Sequence, residues 1–265
     1  MAIKKITLNT LKEMKSRGDK IASLTAYDAG FAGLLDKAGV DVILVGDSLG
    51  MVLHGEETTL KVSMSDMIYH TRIVKAGCER ALIVGDMPFM SYATPAQALG
   101  NAARLMSEGG AEVVKIEGGA VIADTINYFD RHGIPVCAHL GLTPQSVHKL
   151  GGYHVQGRDE ETAMQILADA KLLEQAGAVM LVLECVPHQL AAEITQSLSI
   201  PVIGIGAGAE CDGQVLVLYD ILGITERKLR FSKNFLEQTT SIQSAIENYV
   251  TAVRNREFPA TEHQY

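Results

Sequence analysis

VILVGDS at Val42–Ser48, LIVGDMPF at Leu82–Phe89, VVKIEGG at Val113–Gly119 and MLVLECVP at Met180–Pro187 share one pattern: a short apolar run that stops on a carboxylate, at Asp47, Asp86, Glu117 and Glu184. Such a run reads as a strand buried on both faces, as in a parallel sheet covered by helices. Four strands that end in acid gather negative charge at one end of one sheet. Carboxylates so gathered repel unless a cation stands among them.

Working outward, the acid-tipped strands fall at 41–46, 81–86, 112–117 and 179–184, and similar runs occupy 21–26, 134–139, 201–205 and 214–219. Between them lie segments of helical period, FAGLLDKAG, PAQALGNAARLMSEGG, ETAMQILADAKLLEQAG and HQLAAEITQSL, several ending on a glycine suited to a left-handed cap, at Gly39, Gly109 and Gly177. Eight strand-then-helix units predict an α/β fold, a (β/α)8 TIM barrel in a single domain spanning 1–265, with a doubly wound open sheet as the alternative. A helix near Asn9–Ser16 precedes the first strand and is expected to cap the barrel bottom. Another is expected near Ile242–Arg254, after which the polar tail beyond Glu257 should fray.

Composition narrows the function classes. A net charge of -8 disfavours nucleic acid as a partner, because a phosphate backbone wants a basic face. The N-terminus lacks the apolar centre of a secretory signal, and no apolar stretch approaches the roughly 18 residues that cross a bilayer. A soluble cytoplasmic protein with no membrane partner is expected. Cys78, Cys137, Cys185 and Cys211 lie far apart without CxxC spacing, which points to small buried hydrophobes rather than zinc ligands or disulfides.

In a barrel of this kind the C-terminal strand ends build the active site. Alternation puts Lys115 and Glu117 on one face, and likewise Ile43, Val45 and Asp47. Asp47, Asp86 and Glu117 come from successive strands, and an all-oxygen set without a His/Cys cluster favours a hard, partly hydrated ion such as Mg²⁺. The competing explanation for each acid is a helix N-cap in its own βα loop. Glu184 ends the sixth strand, across the barrel, where a general base would stand; desolvation by Met180, Val182 and Leu183 should raise its pKa. Its alternative is a salt-bridged structural glutamate. Cys185 should point into the barrel wall. His139 closes the fifth strand, either to polarise a substrate carbonyl or as a hydrogen-bonded structural residue, and His70 reads as a surface or packing residue. GIGAG at Gly204–Gly208 suits either an anion site or a tight turn, and GGYHVQGR at Gly151–Arg158 either a lid or a surface loop.

At these residues the chain resembles a known family. TAYD, VGDSLGMVLHG, DMPFMSY, VKIEGG, HLGLTPQS, GGYHVQGR, LVLECVP and IPVIGIGAG, in this order over Ile21–Phe235, are similar to the ketopantoate hydroxymethyltransferases. The resemblance implies a barrel of the phosphoenolpyruvate/pyruvate superfamily that carries a one-carbon unit from 5,10-methylenetetrahydrofolate to 3-methyl-2-oxobutanoate. The product is 2-dehydropantoate, for pantothenate biosynthesis. It further implies that Asp47, Ser48, Asp86 and Lys115 hold the ketoacid, that Asp47, Asp86 and Glu117 serve Mg²⁺ directly or through water, and that Glu184 accepts the C3 proton on the way to an enolate. A ring-shaped homodecamer is implied as well. TERKLRFSKNF departs from the pattern, with Arg230 before Phe231 where a glycine and proline are expected.

Three other readings compete. A magnesium-dependent carbon–carbon lyase or phosphonomutase of the same superfamily needs a reactive cysteine in a mobile loop. A glycoside hydrolase needs stacking platforms, scarce with no Trp and 5% aromatics. A silent scaffold barrel leaves the acids without a purpose.

Overall fold

The computed structural model describes residues 4–226 and 228–265, so Arg227 of the departing stretch lies outside the described residues. The strands are β1 (Ile21–Thr25), β2 (Val42–Val45), β3 (Leu82–Asp86), β4 (Val113–Glu117), β5 (Val136–Gly141), β6 (Met180–Glu184), β7 (Val202–Ile205) and β8 (Gly213–Leu216). Each pairs in parallel with the next and β8 pairs with β1, which closes the sheet into a barrel. Ser23, Leu44, Val84, Lys115, Cys137, Met180, Val182, Ile203 and Val215 face its axis. The alternate residues, such as Ile43, Ile83, Ile116 and Leu183, are fully buried and face the other way, under the surrounding helices.

Helix starts follow from side chains that satisfy the first free N–H groups. Asp28 accepts from Phe31 N at 2.9 Å, Ser63 from Asp66 N at 3.2 Å, Thr94 from Gln97 N at 3.3 Å and Asp159 from Thr162 N at 2.9 Å. These caps open the helices Ala29–Lys37, Met64–Ala76, Pro95–Ser107 and Glu160–Gln175. Gly39 and Gly177 take the positive φ expected of them, 86° and 113°, but after Pro95–Ser107 it is Gly110, at 80°, rather than Gly109. Gly109 is instead a close approach: a Cβ there would lie 2.5 Å from the Leu105 carbonyl oxygen.

The helix Leu8–Arg17 covers the N-terminal rim. Lys15 Nζ reaches Asp212 Oδ2 at 2.6 Å and the Thr195 carbonyl at 2.9 Å, and Lys5 Nζ reaches Glu112 Oε2 at 2.8 Å, with Asp212 and Glu112 directly preceding β8 and β4. That closes the bottom and leaves the C-terminal mouth open. The tail corrects an expectation: it docks rather than frays. Phe258 is buried, its ring 5.5 Å from that of Phe235 and 6.0 Å from that of Tyr249, and His188 N donates to the Tyr265 carbonyl at 2.9 Å. Two aromatic rings stand among the polar residues of this tail, and burial of the Phe258 ring gains enough to anchor it. Among the described residues no helix is long and apolar enough to cross a membrane.

Candidate active site

Strand register delivers the acids to one place. Asp86 is paired with Lys115 across β3 and β4, Glu117 with His139 across β4 and β5, and Gly141 with Glu184 across β5 and β6. Asp47 arrives differently from what alternation predicts. On β2 it is Leu44 that faces the axis, so Ile43 and Val45 do not share its side. Asp47 enters the mouth because β2 ends at Val45 and the chain turns at Gly46, where a Cβ would sit 2.7 Å from Ser48 Oγ.

Around Lys115 the side chains are buried and closely packed. Its Nζ lies 2.8 Å from Asp86 Oδ1 and 3.8 Å from Glu117 Oε1, and 3.4 Å from His139 Nδ1. Asp86 Oδ2 accepts from Asp47 N at 3.0 Å. His139 places Nδ1 3.3 Å from Glu117 Oε1 and Nε2 3.2 Å from Glu184 Oε2. None of these acids caps the helix of its own βα loop, which removes the N-cap explanation; the helix Leu49–Val52 after Asp47 has no side-chain cap at all.

Charge in this space is unbalanced. Burial, then the neighbouring Asp86 and Glu117 charges, push the Asp47 carboxyl up to about 8. Burial also raises Asp86, against the pull of Lys115. For Lys115 burial acts downward, but the Asp86, Glu117 and Asp47 charges outweigh it and hold the ammonium above its usual range. Burial works against Glu117 too, yet His139 and Lys115 keep its carboxyl low, while His139, despite burial and Lys115, is raised by Glu117 and Glu184 to about 9. At neutral pH the ion pairs therefore satisfy Glu117 and leave Asp47 as the acid without a counter-charge.

Glu184 is the acid that opens toward the cavity, its side chain 14% exposed against 3% for Asp86 and Glu117. Two backbone features fix it. Gly141, at φ 86°, comes so close that a Cβ would lie 2.1 Å from the Glu184 carbonyl oxygen, which accepts from Leu142 N at 2.8 Å. Cys185 next to it holds φ 47°, a conformation that costs a non-glycine residue on the order of 1–3 kcal/mol. That turn overrides alternation, so Cys185 lines the cavity instead of pointing into the barrel wall. All four thiols are nonetheless buried, and burial raises Cys185 further with help from Glu184.

Sequence reasoning missed three residues here. Gln145 is buried, and its Nε2 donates to Asp47 Oδ2 at 2.8 Å and to the Met87 carbonyl at 3.0 Å. Its backbone N donates to Glu117 Oε2 at 3.0 Å, and its Oε1 accepts from Tyr92 OH at 2.6 Å. Tyr27 OH and Ser48 Oγ share a hydrogen bond of 2.8 Å. A glutamine in TPQS and tyrosines in TAYD and MSY carry no spacing signal that marks them. His70 is a packing residue whose Nδ1 bonds the Tyr27 carbonyl at 2.7 Å. The glycines of GIGAG are used for packing: a Cβ at Gly206 would meet the Phe231 and Tyr265 rings, and one at Gly208 would meet His188. In the Gly-rich loop, Gln156 N donates to the Cys185 carbonyl at 2.9 Å, and Tyr153 lines the cavity. Arg230 of the departing stretch lies over the Tyr265 ring at 5.2 Å, with Nε donating to the Glu262 carbonyl at 3.2 Å.

The donor set fits a hard divalent cation. Asp86 Oδ1 is buried without an aligned hydrogen-bond donor, and Asp47 spends one oxygen on Gln145. Both Glu117 oxygens already face donors. Among the described residues no three His, Cys, Asp or Glu side chains are gathered to ligate one ion directly. An ion here would therefore keep water or substrate in its shell, as Mg²⁺ prefers. The cavity lined by Asp47, Asp86, Lys115, Glu117, His139 and Glu184 has a volume of about 530 Å³ and continues past them to Tyr219, Phe231 and Tyr265.

Among solved structures, 2,3-dimethylmalate lyase, a PEP mutase/isocitrate lyase superfamily member, superposes with TM-score 0.59 at 18% identity, covering 82% of each chain. Phosphonopyruvate hydrolase superposes with TM-score 0.61 at 12% identity, over 79% of this chain and 80% of that one. These likenesses show the fold. Among curated proteins, 3-methyl-2-oxobutanoate hydroxymethyltransferase of Nitrosococcus oceani is 59% identical over 98% of this chain and 99% of its own length. The enzyme of that name from Shewanella sp. strain W3-18-1 is 58% identical over the same shares. The family model for ketopantoate hydroxymethyltransferase matches residues 5–261. The chain belongs to the ketopantoate hydroxymethyltransferase family.

Proposed function

We propose that this hydroxymethyltransferase, working as one barrel domain, uses Mg²⁺ and takes its one-carbon unit from 5,10-methylenetetrahydrofolate, with 3-methyl-2-oxobutanoate as acceptor and 2-dehydropantoate as product. The observation that carries the reading is the meeting of Asp47, Asp86 and Glu117 around Lys115, with Glu184 facing them in one cavity. The fold relative phosphonopyruvate hydrolase was solved in complex with oxalate and Mg⁺⁺, a small oxygen-rich anion with a divalent ion.

In this reading Asp47, which spends only one oxygen on a protein donor, and Asp86, whose Oδ1 faces Lys115 Nζ at 2.8 Å, would hold the ion, and Glu117 would act through water. Such an ion supplies positive charge to the ketoacid oxygens and so favours loss of the weakly acidic C3 proton. Ser48 Oγ, held by Tyr27, and Lys115 Nζ contact the ketoacid oxygens, and His139 sits between Glu117 and Glu184. Glu184 takes the C3 proton on Oε2 or Oε1. Water would add to the methylene carbon as its two C–N bonds break, its protons passing to N5 and N10 so that tetrahydrofolate separates from formaldehyde; C3 would then bond to the formaldehyde carbon, whose oxygen takes the proton back from Glu184 to become the hydroxyl.

A cytoplasmic homodecamer is part of the proposal. Subunit contacts would account for exposed apolar residues such as Phe89, Met90, Val121 and Met164. The test is an assay of tetrahydrofolate-dependent hydroxymethylation of 3-methyl-2-oxobutanoate. Activity abolished by EDTA and restored by Mg²⁺ supports the reading, and undiminished activity in EDTA contradicts it.

A further inference from the structure

The cavity contains an acid that the Lys115 cluster does not use. Asp220, on the short helix Leu218–Ile221 after β8, is 8% exposed and lines the same cavity. Among the described residues no ion pair reaches its carboxylate, and the hydrogen-bond donor beside it is the Thr225 hydroxyl. Burial holds its pKa above the usual range, and the Thr225 hydroxyl offsets this in part. Taking a carboxylate out of water without a cation is costly, so a buried one with a single hydroxyl beside it has acceptor capacity to spare, explained most simply by donors that arrive with a ligand.

The surroundings specify those donors. Tyr219, Ile224, Leu229 and Phe231 line this flank, an apolar and aromatic wall suited to a flat ring rather than a cation. Tyr27, whose hydroxyl bonds Ser48, also feels the Asp220 charge, which puts this flank beside the proposed ketoacid end. A carboxylate accepts two parallel N–H bonds when they are presented as a fork. A reduced pterin offers that fork, N3–H and the 2-amino group, on the edge of a flat heterocycle.

We propose that Asp220 is the pterin-recognising carboxylate, its two oxygens accepting from N3–H and the 2-amino group of the folate one-carbon donor in the outer part of the cavity. This rests on the folate reading proposed above. The experiment is calorimetry on the full-length protein loaded with Mg²⁺ and 3-methyl-2-oxobutanoate, titrated with tetrahydrofolate and with its 2-desamino analogue. The unaltered protein should bind tetrahydrofolate about ten- to a hundredfold more tightly than the analogue, the range for hydrogen bonds to a charged group. Asp220→Asn should lose a comparable factor for tetrahydrofolate and no longer distinguish the two. Equal binding of both compounds by the unaltered protein, an arm that does not depend on the variant folding, overturns the role of Asp220 while leaving folate as donor. Undiminished tetrahydrofolate affinity in Asp220→Asn does the same. If the unaltered protein binds neither compound and turns over with free formaldehyde, the donor reading itself falls and this proposal with it.

Discussion

Gln145 Nε2 donates to Asp47 Oδ2 at 2.8 Å while its backbone N donates to Glu117 Oε2 at 3.0 Å, so one residue of the loop after β5 fixes acids from two other strands. Partners of this kind orient ligating carboxylates, and their loss typically weakens metal binding about 10- to 100-fold. Gln145→Ala should therefore weaken Mg²⁺ binding by about that factor, measured by calorimetry. It should also lower stability by about 1–3 kcal/mol, because Asp47 Oδ2 and Tyr92 OH lose a partner. Unchanged Mg²⁺ affinity in a folded variant would separate Gln145 from the metal end.

Metal binding should release a proton. Asp47 titrates near 8 without an ion and must be ionised to ligate one. Mg²⁺ affinity should rise as pH increases toward about 8 and level off above it. The sign for stability is the reverse: a raised carboxyl pKa contributes stability at low pH that is lost as pH climbs through the folded value. Metal-free protein should thus lose stability as pH rises toward 8, and Mg²⁺ should restore it. Thermal melts across pH 5–9 with EDTA or Mg²⁺ read both effects, and parallel curves would contradict the assignment of Asp47.

The thiols should be inert. Burial pushes Cys78, Cys137 and Cys211 up to about 12 and Cys185 higher, so little thiolate is available. Iodoacetamide at pH 8 should leave the native protein unlabelled and active. Rapid labelling with loss of activity would instead favour the cysteine-dependent lyase chemistry weighed above.

The C-terminal tail should matter for folding. Phe258 packs on Phe235 and Tyr249, and truncating a buried phenylalanine costs about 3–5 kcal/mol. Phe258→Ala should lower the urea midpoint accordingly, and an unchanged midpoint would mean that the docked tail adds nothing.

The barrel was legible because buried parallel strands repeat one pattern, and the last helix falls on Ile242–Arg254 as read. Lys115 and Glu117 follow from alternation within β4. Asp47 and Cys185 do not, because both lie just past a strand end, where a turn at Gly46 or a positive φ replaces alternation. Gln145 and Asp220 were illegible for a different reason. Their significance lies in what surrounds them in space, four hydrogen bonds around one and no counter-charge for the other, and chain spacing encodes neither. The tail was misread because one ring, Phe258, outweighs the polarity of its neighbours.

The central claim, that Glu184 removes the C3 proton of a ketoacid held at the Asp47, Asp86 and Lys115 end, is tested most directly by deuterium exchange at C3 of 3-methyl-2-oxobutanoate in D₂O with Mg²⁺, followed by NMR. The account predicts exchange with the unaltered protein and, in Glu184→Gln with ketoacid binding retained, a loss of about 10²–10⁴-fold, the usual worth of a positioned base. Exchange at the full rate in Glu184→Gln would contradict it.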